Sequence, residues 1–72
     1  MTTIFFITKN GQKLASLLAG ELTDVELLRF DADAVHNRWQ PGNSLIFIMA
    51  AGIVVRTIAP LLVAHTAHAE VV

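Results

Sequence analysis

The chain has 72 residues with five basic and six acidic side chains and no cysteine, so we expect residues 1–72 to form one small domain without disulfides or thiolate metal sites. Its charges are spread singly and its formal net charge is −1, which leaves no basic stripe for phosphates, and we expect no nucleic-acid partner. Hydrophobic residues make up 54% of the chain and charged residues only 15%. So few polar residues indicate that the chain forms part of the core of a larger assembly rather than an independent small domain.

The first predicted elements are a strand and a helix. Thr3–Thr8 contains an unbroken β-branched and aromatic run, which predicts a strand covered on both faces. The spacing of Gln12–Gly20 is helical, with Thr8 or Asn10 as the N-cap and Gly20 as the C-terminal stop. The side of this helix that we expect to be buried holds Leu14, Ala15, Leu17, Leu18 and Ala19.

The middle of the chain predicts a more polar strand and a short helix. Val25–Phe30 is a strand interrupted by two charged residues, and this charge indicates a position near a sheet edge. Asp31 or Asp33 can cap one or two helical turns that end at Trp39. We expect this tryptophan to pack over the sheet.

The strongest pattern lies in Ser44–Leu62. Leu45–Ala50 is wholly apolar and predicts a central strand, which is followed by a small-residue turn and a helix. Because Pro60 lacks a backbone N–H, this helix should kink or end near Ala59. Its predicted buried arc holds Val54, Val55, Ile58, Ala59, Leu61 and Leu62, and Ala69–Val72 predicts a fourth strand.

Alternation of strands and helices predicts an α/β fold: a mainly parallel sheet of about four short strands with right-handed crossover helices. A parallel sheet needs cover on both faces, and two full helices cannot cover four strands well. We therefore expect an incomplete three-layer domain. Self-association as a symmetric homodimer, or completion by a partner chain, would supply the missing cover.

A membrane span is the competing interpretation of the same apolar stretch. Leu45–Ala64 is 20 residues long and carries a single charge, Arg56. The separation of its apolar and polar residues onto two sides of a helix favours a globular domain, so we expect no membrane partner. Met1–Gly11 lacks a basic region and a cleavage motif, so we expect no signal peptide and a cytoplasmic location.

Two stretches carry a resemblance to a known family. The first is a strand followed by Thr8, Gly11, Leu14, Ala15 and Leu18, and the second is an apolar strand followed by Gly52, I-V-V-R and I-A-P-L-L. Both resemble the N-terminal domain of CbiG, the cobalt-precorrin 5A hydrolase of cobalamin biosynthesis, and the second stretch is the longer and more specific. Family members continue with a charged segment and with L-S-G-H and G-G-A-N motifs. Here residues 63–70 read VAHTAHAE and those motifs are absent, so the chain resembles a truncated domain.

The resemblance implies a role in the anaerobic synthesis of cobalamin. The implied reaction is hydrolytic opening of a lactone on a corrinoid tetrapyrrole intermediate, with release of a two-carbon aldehyde. Cobalt enters only as part of this substrate, and we expect no other cofactor. Hydrolysis needs an activated water and stabilisation of oxyanion charge, but the catalytic residues stay unassigned, and we expect this chain alone to be inactive. The alternative is a non-catalytic module that binds a corrinoid or a protein.

The candidate substrate-binding residues are Thr8, Gly11, Ala51, Gly52 and Arg56. Gly52 and its small neighbours either let a ligand approach the backbone or merely permit tight packing of helix on strand. Arg56 either clamps a carboxylate of the substrate or is an ordinary solvated arginine. His65 and His68 lie near Glu70, but they lack a third firm ligand, and we expect no metal site.

Overall fold

Strands and helices alternate in this computed structural model, which describes residues 1–61 and 67–72. The elements of these residues are β1 (Thr2–Phe6), α1 (Lys9–Ala19), β2 (Val25–Arg29), α2 (Ala32–Arg38), β3 (Ser44–Ile48), α3 (Ala51–Ile58), a 3-10 turn (Ala59–Leu61) and β4 (His68–Val71). All strand pairings in the described part of the chain are parallel, and the strand order is β2-β1-β3-β4. The predicted α/β fold with a four-stranded parallel sheet is confirmed.

The sheet has a separate hydrophobic core on each face. On one face, α2 and α3 cover a buried cluster of Phe5, Val35, Trp39, Leu45, Phe47 and Val54. On the other face, Ala15 of α1 packs with Ile4 and Phe6 of β1. The sequence placed the second strand near an edge and the third strand centrally, and both positions are confirmed. Trp39 packs over the sheet as predicted.

The chain leaves the two central strands in opposite directions. From β1 it runs through α1 to the neighbouring β2, and from β3 it runs through α3 to β4 on the other side. Right-handed crossovers in opposite directions put their helices on opposite faces of the sheet. The packing agrees, because α1 contributes to one core and α3 to the other.

Among the helices of the described residues, α1 and α2 begin at a capping side chain. Thr8 Oγ1 accepts a hydrogen bond from the Gly11 N–H at 3.0 Å, so α1 starts three residues earlier than the sequence predicts, with Thr8 rather than Asn10 as its cap. Asp31, not Asp33, caps α2 by accepting from the Ala34 N–H at 3.1 Å. The position before α3 is an alanine, which supplies no side-chain cap.

The predicted buried side of α1 is partly wrong. Ala15 is buried, but Leu14 is 40% exposed and Leu17 is 71% exposed. Gly11 is also buried, but it precedes Gln12, where the sequence predicted the helix to begin. The helix presents its small residues to the sheet because they allow the closest approach, and two of its leucines consequently face outward.

The predicted buried arc of α3 is also too wide. Val54 is buried, whereas Val55 is 58% exposed. This short helix meets the sheet along one narrow stripe, which continues through the half-buried Ile58 and Leu61. The helix ends at Ile58, which confirms the predicted end near Ala59, and the chain continues as the 3-10 turn that contains Pro60. Leu62 lies outside the described residues.

Of the segment considered as a membrane span, residues 45–61 are divided among β3, α3 and the 3-10 turn, and its remaining residues lie outside the described part of the chain. Within residues 1–61 and 67–72, no helix has both the length and the apolar character needed to cross a bilayer.

A polar network ties β1, β2 and α2 together. The Glu26 carboxylate accepts hydrogen bonds from Arg38 Nε and, at 3.0 Å, from Thr3 Oγ1. Thr3 is only 2% exposed, so its hydroxyl needs such a partner. The hydrogen bond from Arg38 holds the pKa of Glu26 below its ordinary value of 4.5, although partial burial acts in the opposite direction.

This network makes the stability of the fold dependent on pH. A carboxyl group whose pKa is lowered by folding contributes stability above its unfolded pKa and loses that contribution as the pH falls through its folded pKa. We expect Glu26→Gln to lower the free energy of unfolding by about 1 kcal/mol at pH 7, since the ion pair is partly exposed. Urea denaturation of the wild type, Glu26→Gln, Arg38→Met and the double variant should give a coupling energy at pH 7 that shrinks toward pH 3. A coupling energy that is equal at both pH values would contradict this assignment.

The cap of α1 gives a second stability prediction. Thr8→Ala removes the acceptor of the Gly11 N–H and should lower the free energy of unfolding by about 1 kcal/mol, whereas Thr8→Ser should preserve it. Thr57→Ala is a matched control, because the Thr57 hydroxyl donates to the Ile53 carbonyl within a helix and caps nothing. Its effect should stay within about 0.5 kcal/mol in the same urea titrations. Equal losses for Thr8→Ala and Thr8→Ser would show that the hydroxyl is not the stabilising group.

Candidate functional site

The candidate site lies where the two central strands end. β1 and β3 are paired side by side, with Phe6 opposite Ile48 at the end of the pairing. The chain then turns to one face of the sheet into α1 and to the other face into α3. Ligands of open α/β sheets bind at such a switch point, beyond the carboxyl ends of the strands. We call the two strand-to-helix loops together with the first helix residues that follow them, residues 7–11 and 49–56, the switch edge.

The first loop of the switch edge is closely packed against β3. A Cβ atom placed on Gly11 would lie 3.2 Å from Thr8 Oγ1 and 3.5 Å from both the Cγ2 atom and the carbonyl oxygen of Ile48. Gly11 therefore lets the beginning of α1 lie directly against the end of β3. Thr8 and Gly11, both predicted as substrate-binding residues, are held together here by the capping hydrogen bond. Their observed contacts position the loop.

The second loop is open. Ala51 and Gly52 are exposed. Apart from the two chain neighbours of Gly52 and the nearby backbone of its own helix, no atom in residues 1–61 and 67–72 lies within 4 Å of a Cβ built on Gly52. Nor does the backbone require glycine, because Gly52 does not have a positive φ. Of the two interpretations offered by the sequence, tight packing of helix on strand therefore finds no support at this position.

The beginning of α3 offers unpaired hydrogen-bond donors. The first N–H groups of a helix have no partner within the helix, and Ala50 provides no side chain to accept from them. The first turn of α3 also contains no acidic residue. The N–H groups of Ala51 and Gly52, together with the positive end of the helix dipole, therefore favour an anionic ligand.

The cations at the switch edge are Lys9 and Arg56. Arg56 is exposed on the second turn of α3 and forms no ion pair with any residue in the part of the chain that the structure describes. Lys9 is exposed on the first turn of α1. Residues 7–11 and 49–56 contain no aspartate, glutamate or histidine, so these segments can bind an anion but supply no general base.

Two residues of this site, Lys9 and Ile48, were not predicted from the sequence. Lys9 directly follows the predicted N-cap Thr8, and a lysine at this position could have been predicted to lie beside a ligand at the end of the strand. Ile48 could not be found in the same way, because its contact with Gly11 depends on how β1 and β3 are aligned.

The histidines considered for metal binding lie elsewhere. His68 begins β4, at the end of the sheet opposite the switch edge, and its Nε2 atom is 2.9 Å from Glu70 Oε1. His65 is outside the described residues. Within the described ranges, no three histidine, aspartate or glutamate side chains come together as a metal site. No pocket is enclosed by those residues either, so a ligand at the switch edge would lie on an open surface.

Comparison with known proteins supplies the family. A family model described as "Cobalamin synthesis G N-terminal" matches residues 33–72, which are 40 of the 72 residues. The match contains β3, α3 and the segment 63–70, where the sequence departs from the resembled pattern, whereas Thr8 and Gly11 precede it. Searches of curated proteins and of solved structures found no match. Since the family match covers more than half of the chain, the chain belongs to the family of N-terminal domains of the cobalamin-synthesis protein G, and it is involved in cobalamin synthesis.

Proposed function

We propose that the switch edge binds carboxylate side chains of a cobalt-containing corrin intermediate, and that the chain acts as the N-terminal domain of a cobalt-precorrin 5A lactone hydrolase. Membership of the cobalamin-synthesis family supports the class of ligand. The observation that carries the proposal is the open glycine at the uncapped beginning of α3.

Gly52 is more costly to the fold than alanine would be. In the middle of a helix, glycine is less stable than alanine by about 0.5–1 kcal/mol; at Gly52, the second residue of α3, the cost is smaller, but neither packing nor φ offsets it. What the glycine provides is an uncovered peptide group beside two free N–H donors. A carboxylate or a carbonyl oxygen of a ligand can approach this peptide without meeting a side chain.

The charges of the switch edge suit a ligand with several carboxylates. A corrin precursor carries acetate and propionate groups around its ring, so different groups can meet Arg56 and Lys9 on opposite faces of the sheet. Hydrogen bonds between charged partners are roughly twice as strong as those between neutral ones. Arg56 can form two parallel bonds to one carboxylate, which would fix its orientation as well as attract it.

The same site has a limited role in the hydrolysis itself. Opening the lactone requires attack of water on the ester carbonyl, followed by cleavage of the ring C–O bond of the tetrahedral intermediate, which gives a carboxylate and an alcohol. Release of the aldehyde then requires loss of the alcohol proton and cleavage of the C–C bond at the alcohol carbon, with a proton taken up by the corrin carbon left behind. The N–H groups of Ala51 and Gly52 are suited to stabilise the oxyanion of that intermediate. The base that activates the water must come from outside residues 7–11 and 49–56, which contain no suitable side chain. This absence favours, as a second candidate, a module that binds a corrinoid without acting on it.

Substitution of Gly52 tests the binding proposal. Gly52→Val covers the peptide group and should weaken binding of a corrinoid with free carboxylates about tenfold, a change of ~1.4 kcal/mol. The fold should be unaffected, since the added side chain meets open space. Gly20→Ala, at the end of α1 away from the switch edge, is the matched control and should bind as the wild type does. Binding is measured by titrating the corrin absorption band, with circular dichroism as the check of folding.

The charge of the ligand is tested in the same titration. Arg56→Gln should weaken binding of the carboxylate corrinoid about three- to tenfold and should reduce its dependence on salt. The corresponding corrinoid with amide side chains should bind weakly to both proteins. Unchanged affinity in Gly52→Val, or equal binding of the carboxylate and amide ligands, would overturn the proposal.

An assay of turnover can rule out the non-catalytic module. We expect this chain to bind the lactone intermediate and to release no aldehyde, because the switch edge lacks a general base. The aldehyde is measured by its enzymatic reduction with NADH, followed as loss of absorbance. Release above the rate without protein would rule out the non-catalytic module and would place a base elsewhere in these 72 residues.

A further inference from the structure

The outer side of α1 is an exposed apolar surface with charged ends. Leu17 is 71% exposed and Leu14 is 40% exposed, and both lie away from the sheet that α1 covers. Lys13, Gly20 and Glu21 share this side of the helix and are exposed. The turn after α1 continues the helical path, with the Glu21 N–H donating to the Leu18 carbonyl at 3.0 Å. We call Lys13, Leu14, Leu17, Gly20 and Glu21 the α1 ridge.

The α1 ridge is complementary to itself under a two-fold rotation. If two copies of α1 cross in antiparallel orientation at Leu17, residues at equal distances before and after Leu17 face each other. Lys13 lies four residues before Leu17 and Glu21 four residues after it, so each lysine meets the partner's Glu21. Leu14 meets the partner's Gly20, which leaves room for the leucine side chain.

Neither charged residue of the α1 ridge is already neutralised. Lys13 and Glu21 form no ion pair with any residue in 1–61 or 67–72. Both are therefore available for a second chain, and the rotation produces the Lys–Glu pair twice. A surface that matches itself in shape and charge is the requirement of a symmetric dimer.

The exposed edge of β4 is the weaker alternative. The register pairs Ser44 with His68 and Ile46 with Glu70, so both polar side chains of β4 lie on the α1 side of the sheet. They already pair with each other at 2.9 Å. Such a polar edge opposes pairing with another strand, as is usual for protected sheet edges.

We propose that two copies of this chain associate through the α1 ridge as an antiparallel, two-fold symmetric dimer. The apolar centre is formed by Leu17 of each copy, flanked by Leu14, and the two Lys13–Glu21 pairs fix the orientation. The proposal is independent of the proposed function, because it uses a side of α1 that is not part of the switch edge.

Sedimentation equilibrium across micromolar concentrations tests the dimer. The wild type should show a reversible monomer–dimer equilibrium, and Leu17→Asp should weaken it at least about tenfold, since it removes apolar contact and adds like charges across the axis. Val55→Asp is the matched control, because Val55 is also strongly exposed but lies on α3, on the opposite face. A wild type that stays monomeric up to high micromolar concentration would overturn the proposal, as would equal effects of the two variants.

Charge exchange tests the antiparallel orientation. Lys13→Glu alone places two glutamates opposite each other and should weaken the dimer roughly three- to tenfold, and Glu21→Lys alone should do the same with two lysines. The double variant restores opposite charges at both places and should return the affinity to near the wild-type value. Failure of this recovery, in variants whose circular dichroism is unchanged, would show that the two residues do not meet and that the proposed geometry is wrong.

Discussion

The fold depends on the side-by-side pairing of β1 with β3. In register, this pairing sets Phe5 beside Phe47, and their rings stack with centroids 5.3 Å apart and planes 13° from parallel. Phe30, directly after β2, meets Phe5 edge-on with ring centroids 6.4 Å apart. Aromatic pairs of this kind contribute beyond the area they bury. Because β1 lies between β2 and β3, a shift of its register would move side chains between the two cores at once.

The same pairing creates the candidate site. β1 lies between β2, which is the next strand along the chain, and β3, which comes later. The chain therefore leaves β1 toward β2 and leaves β3 toward β4, in opposite directions along the sheet. Two helices consequently begin at one edge of the sheet, on opposite faces. One of these beginnings is closed by the Thr8 cap and by the contact of Gly11 with Ile48. The other, at Gly52, has neither a side-chain cap nor a covering side chain, and the proposed binding of carboxylates rests on this difference.

Much of this architecture can be predicted from the sequence. The wholly apolar run at 45–50 indicates a buried central strand, and charge in β2 indicates an edge, because desolvation opposes charge inside a sheet. Thr8 and Asp31 are typical capping residues, and Pro60 marks the end of a helix.

The remaining features depend on contacts between distant parts of the chain. Helical periodicity identifies which residues of a helix are apolar, but it does not show how much of that arc a sheet will cover. Leu17 and Val55 were expected to be buried for this reason and are exposed. The contact of Gly11 with Ile48 depends on the alignment of β1 with β3. The exposure of the Gly52 peptide depends on which distant residues lie near it, and a local sequence pattern cannot predict this.

The central position of β1 also affects the order of folding. β1 precedes both of its neighbours along the chain, so during synthesis its two edges are satisfied at different times. The edge facing β2 can pair once residues 25–29 have emerged, but the other edge waits for residues 44–48. In that interval an apolar strand carries a row of unsatisfied backbone groups, the kind of edge that recruits foreign strands. The stretch between β2 and β3, which includes α2 and its cap at Asp31, therefore sets how long the nascent chain is vulnerable to aggregation.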